Sequence, residues 1–432
     1  MERRPDHVLL NTIAVAGRHS NDSTTASGRT RNGKTIEVSF SLEHPPHPSI
    51  LLVHSSDMNL TVPPSIVYTV DDLLLLSVNM GSGPYSLSPN DCDFFVYRVH
   101  PTRPSLHLLR RPHPYFNDVD VGLLPRLDGQ YTIAALIPTT TWNQYELHLF
   151  DSDSEIQGWS RRTLTVEAPQ REFPVKIPVD SARIHRHLTS NVITIGGKGG
   201  TMGWVDLWRG ILLCDVLDPK PFLRGLPLPL PLKELSYNDG NGFPFGPGGQ
   251  RRGISFIRDV DKGKCYLKLV HLEMSDVRLP HLDDETRAFC FRVHNWALTT
   301  WSNTRMTDSY EDWHQEYMIQ ASDMRIDDPA ISQMLETSGL LMHTQPQDDG
   351  AAGEQLALHN LPVSQPSLCI NGEDVVYLLA RKKYMHQEAW IVSVDIKNGI
   401  VQAMDKFGDQ RQLDSTIIYR LSTISKYMNP SN

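Results

Sequence analysis

The stretch Gly203-Trp-Val-Asp-Leu-Trp-Arg-Gly-Ile-Leu-Leu-Cys-Asp-Val216 holds two short apolar runs on either side of the turn Arg209-Gly210. Two runs of this length, rich in Trp, Val, Ile and Leu and separated by a glycine turn, predict a β-hairpin. Four more hairpins are predicted, over residues 145–166, 253–270, 288–301 and 389–404. In the 288–301 hairpin we expect the turn at His294-Asn295. In the 389–404 hairpin Asn398-Gly399 is the strongest turn signal, because both residues tolerate positive φ.

Strand character continues through the first third of the chain. It is predicted over 35–40, 50–54, 66–70, 73–78, 94–99, 106–109 and 131–137. The 28 glycines and 30 prolines cut the chain into short segments. About two dozen short strands with few helices indicate radial repetition of four-stranded sheets, which limits exposed edges. We predict an all-β, β-propeller-like fold with about six to seven degenerate four-stranded blades, long loops and one or two short helices.

The hairpin pattern runs along the whole chain, which predicts a single propeller-like domain over 1–432. Two stretches interrupt it. Residues 225–250 are a Pro/Gly-rich segment that predicts a loop, because proline denies donors to a strand ladder. Residues 303–366 are a long polar insertion, with one short helix predicted over 328–337 and ended by Gly339.

Charge and cysteine content limit the classes of partner. Lys and Arg total 41 against 50 Asp and Glu, a net charge of −9, which argues against a nucleic-acid partner. No apolar stretch approaches the ~18 residues that span a bilayer, so we expect no membrane association. The apolar run 8–17 could mimic a weak secretory signal, but a first strand fits it better. Five cysteines without a close pair favour a reducing compartment, and we expect the cytoplasm or nucleus.

Several stretches resemble a family of plant proteins, abundant in grasses, that is grouped as domain of unknown function 1618. The most specific is the 203–216 stretch quoted above. The others are 93–98, 104–109, 121–124, 146–150, 159–160, 374–379 and 390–395. The resemblance implies no reaction, because the family has no established activity, catalytic residues or cofactor.

Three motifs superficially suggest a ligand, and each departs from the pattern it mimics. Gly196–Thr201 looks like a phosphate loop, but Lys198 is followed by glycine rather than Ser or Thr, so we expect a hairpin loop. Asp151–Glu155 has alternate carboxylates, but Ile156 stands where a calcium loop needs glycine. The histidine pairs 44/47 and 185/187 lack two further zinc ligands. No catalytic, cofactor-binding or metal residue is predicted.

Tryptophans supply the predicted partner contacts. Trp142, Trp159 and Trp313 lie near strand ends or loops, and aromatic residues are enriched at binding hot spots. The other five tryptophans are expected to pack inside blades. The leading hypothesis is a monomeric, non-enzymatic protein-interaction module, with the two interrupting stretches as partner surfaces. The alternative is a hydrolase or small-molecule binder with a site in the central channel.

Overall fold

The computed structural model describes residues 5–18, 23–81, 91–109, 113–141, 143–153, 158–166, 187–229, 248–259, 263–341, 358–409 and 418–428. Within these residues the protein is all-β, with six sheets in a β-propeller arrangement and two α-helices. Five sheets have four strands in simple sequential order. The predicted fold class is therefore confirmed, at the lower end of the predicted blade number.

The chain divides into two compact units. The first comprises 1–244, 306–310 and 418–432, and the second comprises 245–305 and 311–417. The single domain over 1–432 stays a prediction.

The first unit contains four sheets. One is formed by β1 (Val8–Asn11), β2 (Val15–Ala16), β3 (Ala26–Arg29), β4 (Thr35–Ser41), β5 (Pro48–His54) and the last strand, β26 (Tyr419–Ser422). The next is formed by β6 (Ser65–Val70), β7 (Leu73–Asn79), β8 (Cys92–Arg98) and β9 (Ser105–Leu108). The third is formed by β10 (Val121–Pro125), β11 (Tyr131–Pro138), β12 (Gln144–Asp151) and β13 (Trp159–Thr165). The fourth is formed by β14 (Asn191–Gly196), β15 (Thr201–Asp206), β16 (Gly210–Asp215) and β17 (Leu223–Pro227).

The two ends of the chain meet in the first of these sheets. β26 pairs antiparallel with β1, in a register that places Leu421 opposite Leu9. The first strands of successive sheets also lie against each other, β10 contacting both β6 and β14, and β26 contacting β6. We call β6, β10, β14 and β26 the inner strands of this unit.

The second unit contains two sheets and both α-helices. One sheet is formed by β18 (Arg252–Asp259), β19 (Lys264–Leu282), β20 (Phe289–Asn303) and β21 (Trp313–Gln320). The other is formed by β22 (Val363–Leu368), β23 (Val375–Ala380), β24 (Glu388–Asp395) and β25 (Ile400–Asp409). The helices are α1 (Gly248–Arg251) and α2 (Pro329–Thr337). As predicted, α2 begins after its cap Asp328, whose carboxylate accepts the Ala330 N–H, and it is followed by Gly339 at φ +68°.

A buried cation joins the two sheets of the second unit. Lys268 of β19 is buried, and its Nζ lies 2.7 Å from Asp374 Oδ1 and 3.2 Å from Glu316 Oε2. Tyr317 also donates to Asp374, over 3.2 Å. Burial alone would lower the pKa of Lys268, but the two carboxylates outweigh it and raise the pKa. The lysine therefore stays charged. It joins its own sheet, where it contacts Glu316 of β21, to Asp374 just before β23 of the other sheet.

One predicted turn differs from the structure. His294 and Asn295 do not form a turn, because they lie inside β20, which pairs with β19 as far as Leu282 opposite Phe289. The turn lies instead at 283–288, where Asp283 Oδ1 accepts the backbone N–H groups of Glu285 and Thr286.

The interrupting stretches also contain strands. The 225–250 segment begins within β17, and its remaining residues from 230 to 247 lie outside the described residues. Pro227 is accommodated because β17 is the last strand of its sheet and is paired within that sheet only with β16. The 303–366 segment contains β21 and α2 and reaches into β22.

The Gly203–Val216 stretch contains most of β15, the following turn and β16, as predicted. Its most distinctive residues have structural roles. A Cβ at Gly203 would lie 2.8 Å from Ile211 Cγ2, so only glycine fits there. Asp206 Oδ1 accepts the backbone N–H groups of Trp208 and Arg209 and thereby closes the turn. Trp204 is fully buried, and its indole N–H donates over 2.8 Å to the carbonyl of Asp120, in the loop before β10.

Replacing Trp204 by phenylalanine tests this anchor. The ring stays apolar, but the Asp120 carbonyl loses the indole donor and keeps only the Leu136 backbone N–H, so we expect the free energy of unfolding to fall by about 0.5–1.5 kcal/mol. Urea denaturation measures the change. Trp301→Phe is the matched control, because the half-buried Trp301 indole makes no hydrogen bond with the described residues. Equal losses in both variants would contradict the anchoring role.

Candidate functional site

The strands β19 and β20 extend well beyond the rest of their sheet. β18 pairs with β19 only as far as His271, and β21 pairs with β20 only from Ala297 onward. The two long strands continue as a two-stranded arm over 272–282 and 289–296, which we call the ribbon. Within the described part of the chain no third strand joins it. An isolated pair of strands is marginally stable in water, so the ribbon needs further contacts to hold one position.

Large apolar side chains on the ribbon face solvent. Val277, Leu282 and Phe289 are 47%, 50% and 40% exposed. The Arg278 guanidinium lies 3.4 Å from the centre of the Phe289 ring, a cation–π contact that covers part of that ring. Leu282 pairs with Phe289 on one face of the ribbon, whereas Val277 pairs with Arg292 on the other face. Both faces of the ribbon therefore present exposed apolar side chains to another molecule.

The tip of the ribbon is fastened to the loop between β23 and β24. Lys383 Nζ lies 2.9 Å from Asp283 Oδ2 and 2.8 Å from Glu285 Oε2. Nearby, Phe291 and Tyr384 make an edge-to-face contact with ring centres 5.2 Å apart. The hydrogen bonds with Glu285 and Asp283 raise the pKa of Lys383, and Lys383 in turn lowers the pKa of Glu285. We call these contacts the latch.

The loop that carries Lys383 is itself held in place. Lys382 Nζ lies 3.1 Å from Glu388 Oε2 and 5.6 Å from the centre of the Trp390 ring. Lys406 reaches the other oxygen of Glu388 over 2.9 Å. Arg381 donates to the carbonyl of His386 and closes the loop on itself. The ribbon is therefore fastened to a well-supported part of the neighbouring sheet.

Charge reversal at Lys383 tests the latch. A glutamate in its place would repel Asp283 and Glu285, so we expect amide hydrogens over 276–292 to exchange about two- to fivefold faster than in the unchanged protein. Hydrogen exchange followed by mass spectrometry measures this locally. Lys397→Glu, at an exposed lysine of the same unit, controls for the change in net charge. Exchange in the ribbon that is the same in all three proteins would contradict the latch.

A second polar group of residues gathers on the inner strands of the first unit. Tyr68 of β6 lies 2.9 Å, hydroxyl to hydroxyl, from Thr194 of β14, and Thr194 donates to the Leu123 carbonyl of β10. Desolvation by the surrounding protein raises the pKa of Asp118, in the loop before β10, and Arg420 and Ser65 partly oppose this effect. Arg420 of β26 acts electrostatically on both Asp118 and Tyr68. We call Ser65, Tyr68, Asp118, Thr194 and Arg420 the inner-strand cluster.

The loop that carries Asp118 is held from two sides. The Asp120 carboxylate accepts the Asn117 side-chain amide over 2.9 Å, which closes the loop. The Asp120 carbonyl accepts the Trp204 indole N–H described above. Burial is the main cause that raises the pKa of Asp120, and Asn117 partly opposes it. The most specific stretch of the sequence thus positions the carboxyl of the cluster.

The predicted partner contacts have different surroundings. Trp142 lies outside the described residues. Trp159, in β13, is half-buried and packs against Phe116 and Phe150 at ring-centre distances of 5.9 and 5.8 Å. Trp313 begins β21 and is 8% exposed, so little of its ring is accessible to another molecule. Neither Trp159 nor Trp313 belongs to the ribbon, and the role of all three tryptophans as partner contacts stays a prediction.

The ligand-like motifs have simple structural roles. Gly196–Thr201 is the turn between β14 and β15, with Gly196, Gly197 and Gly200 at positive φ, as expected for a hairpin loop. Asp151 and Asp153 accept contacts from Arg126, at 3.4 and 3.1 Å. Among the described residues no group of three His, Cys, Asp or Glu side chains is arranged to hold a metal ion. In that same part of the chain, no helix has the length and apolar character to cross a membrane.

One member of the predicted histidine pairs is strongly perturbed. His187 is buried, and its burial together with the charge of Arg209 lowers the pKa to about 3. His185 lies outside the described residues. His187 therefore has a structural role. Because it resists protonation in the folded protein, it lowers the free energy of unfolding at low pH.

The pH dependence of stability tests this. Unfolded His187 takes up a proton as the pH falls below its ordinary pKa of 6.5, whereas the folded form resists protonation down to about pH 3. Stability is therefore lost on acidification across that window, at most about 1.4 kcal/mol per pH unit. Urea denaturation between about pH 7 and pH 5 should show a smaller loss in His187→Gln than in the unchanged protein. The exposed His281→Gln should behave like the unchanged protein; a slope unaltered by His187→Gln would overturn the assignment.

Comparison with known families adds a family match over part of the chain, without an activity. Residues 204–377 match the model of a family described as "Protein of unknown function (DUF1618)". The predicted family is confirmed over this stretch. The DUF1618 match begins at Trp204 and ends in β23, so it includes the 204–216 motif and the entire ribbon. No curated protein matches the chain.

Among solved structures the likeness is weak. An α-L-arabinanase of Penicillium chrysogenum complexed with arabinobiose is 10% identical, with a TM-score of 0.28 and coverage of 92% of this chain and 95% of that one. An α-L-arabinofuranosidase of Fusarium graminearum, in complex with an iminosugar inhibitor, is 9% identical with a TM-score of 0.24 and coverage of 91% and 93%. The S. cerevisiae core factor is 8% identical with a TM-score of 0.26 and coverage of 94% and 62%. Likeness at this level carries no argument about activity.

Proposed function

We propose that this protein is a non-enzymatic protein-interaction module and that the ribbon is its partner surface. The observation that carries the proposal is the continuation of β19 and β20 as a latched arm with exposed Val277, Leu282 and Phe289. A buried apolar contact contributes about 1.5–3 kcal/mol for each large side chain that is removed from water. Three such side chains contribute at most about 4.5–9 kcal/mol, which is comparable to the cost of association, so specific binding also requires pairing with the ribbon backbone.

The backbone of the ribbon supports the same proposal. A sheet edge that no other strand covers offers N–H and C=O groups to an incoming extended segment, which is a common mode of peptide recognition. On β20, a strand added along 290–294 would lie beside Phe291 and Val293 on one face and beside Arg292 and His294 on the other. We propose that the partner presents an extended segment with apolar and acidic side chains in alternation.

The latch supports the proposal through preorganisation. A flexible arm would lose conformational freedom on binding, and this loss would weaken the complex. The ion pairs of Lys383 and the Phe291–Tyr384 contact hold the arm before the partner arrives. Apolar side chains that stay exposed to water do not stabilise the fold. A preorganised arm that carries them is therefore better explained by recognition of a partner.

An intracellular setting, in the cytoplasm or nucleus, is part of the same proposal. All five cysteines are free thiols, and two of them, Cys214 and Cys369, are buried, which raises the pKa of each to about 12. Thiols that stay unpaired are typical of reducing compartments.

Affinity capture with the full chain tests the proposal. The bait carries Leu282→Asp and Phe289→Asp together, and the control bait carries Leu127→Asp and Phe222→Asp, at two residues exposed outside the ribbon. We expect a specific protein to be recovered with the unchanged and control baits and to fall at least about tenfold with the ribbon bait. Circular dichroism confirms that each bait is folded.

Two results would overturn the proposal. One is recovery of the same partners, in the same amounts, by the ribbon bait. The other is that a partner recovered with the unchanged chain is lost equally with the control bait, because the contact would then lie outside the ribbon.

A further inference from the structure

The β19 edge of the ribbon has a sequence that is symmetric about Val277. Leucine stands at both ends of the stretch 272–282. Acidic and basic side chains stand at mirrored positions within it: Asp276 and Arg278 one residue to either side of Val277, then Glu273 and His281 four residues to either side. Two antiparallel strands pair residues that lie at equal distances from their common centre. This edge is therefore complementary to a second copy of itself.

The edge is open over its outer part. Within the described residues, no strand lies beside β19 on this side once its pairing with β18 stops at His271. Arg251 of α1 reaches the edge at Asp276, with 3.3 Å between Nη2 and Oδ2. The irregularity near His294 places the extra residue on β20, so β19 runs without a bulge as far as Arg278. The backbone of this edge can thus accept an added strand.

The charges select one register for two copies of the edge. When Val277 lies opposite Val277 of the other copy, each Asp276 faces an Arg278. A shift by two residues places Asp276 opposite Asp276 in one direction, and Arg278 opposite Arg278 in the other. Opposite charges facing each other stabilise a strand pair by about 0.2–1 kcal/mol, and like charges destabilise it. Only the register centred on Val277 forms two attractive pairs.

An apolar contact lies at the centre of this arrangement. The Val277 side chain is 47% exposed and points to the opposite face from Asp276 and Arg278, because side chains alternate along a strand. In the paired copies the two valines lie directly opposite on the two-fold axis and remove each other from water. The same patch then serves both copies, as in other two-fold interfaces.

Charges on a sheet edge can also serve to prevent pairing. Natural edges use lysine, proline and bulges for this purpose. Pro280 fits that role, since β19 is irregular between Arg278 and Leu282, and this limits regular pairing to about 275–279. Within 275–279, however, the two charges have opposite signs at symmetric positions. They attract a second copy instead of repelling it.

We propose that the β19 edge of the ribbon, over 275–279, pairs antiparallel with the same edge of a second copy to form a two-fold symmetric dimer. The stretch is short, so we expect reversible association at micromolar concentrations. The strand position proposed above for another partner lies on β20, at the other side of the ribbon. The dimer therefore goes beyond the proposed function and does not depend on it.

Exchange of charges between copies tests the dimer, with sedimentation velocity of the full chain from about 5 to about 200 μM as the measurement. The unchanged protein should shift from monomer to dimer. Asp276→Arg and Arg278→Asp should each weaken dimerisation at least about tenfold, because each places two like-charged pairs in the interface. An equimolar mixture of the two variants should dimerise again, since one copy then supplies two arginines and the other two aspartates.

Recovery in the mixture separates an interface from damage to the fold. If Asp276→Arg merely lost its contact with Arg251, the other variant could not repair it. Lys397→Glu, which changes the net charge as much as Arg278→Asp does, should dimerise like the unchanged protein. An unchanged protein that stays monomeric at every concentration would refute the dimer. So would a mixture that stays monomeric although circular dichroism shows both variants to be folded.

A cysteine on the axis tests the register and serves if Asp276→Arg does not fold. In a Cys265→Ser background, which removes an exposed thiol, Val277→Cys should form a disulfide-linked dimer on mild oxidation. Leu282→Cys, at an equally exposed residue that does not face itself in this register, should remain unlinked. Equal cross-linking of both would contradict the register. All these variants retain Phe289 and none prevents capture by β20, so this proposal and the proposed function fail separately.

Discussion

The pairing of backbone edges is the constraint on which the rest of this structure depends. A strand at the edge of a sheet carries polar backbone groups that must be paired, covered or left to water. At the two ends of the chain the solution is direct, because β26 pairs with β1. Between the two ends, the chain forms sequential sheets, mostly of four short strands, so each sheet exposes only short edges. The ribbon departs from this solution, since β19 and β20 continue where β18 and β21 have ended. That departure is the reason for assigning it a role in recognition.

The most specific stretch of the sequence is explained by structure rather than by catalysis. Gly203 leaves room for Ile211, Asp206 closes the turn, and Trp204 holds the Asp120 carbonyl. This last contact joins the fold to the inner-strand cluster, because the same short loop carries Asp118. A distinctive stretch of sequence can thus secure the scaffold without itself taking part in a reaction.

Local pattern was enough to predict most of the strands. Apolar alternation and glycine turns predicted the hairpins β12–β13, β15–β16, β18–β19 and β24–β25, and Gly399 has the positive φ expected at its turn. The ribbon was missed because His294-Asn295 has turn composition, although pairing with β19 carries it through as strand. β21 was missed because five of its eight residues are exposed, which leaves no apolar run to recognise. Arg420 could not be associated with the inner strands from the sequence, because only the folded chain brings β26 against β1 and β6.

The central claim is that a partner protein binds along the ribbon. Hydrogen exchange of the full chain, with and without the partner that affinity capture identifies, tests it most directly. Backbone amides that pair with an added strand are protected from exchange, whereas amides that remain in water are not. The account predicts slower exchange over 289–296 in the complex, with the other described strands little changed. Protection confined to residues outside 272–296 would contradict it.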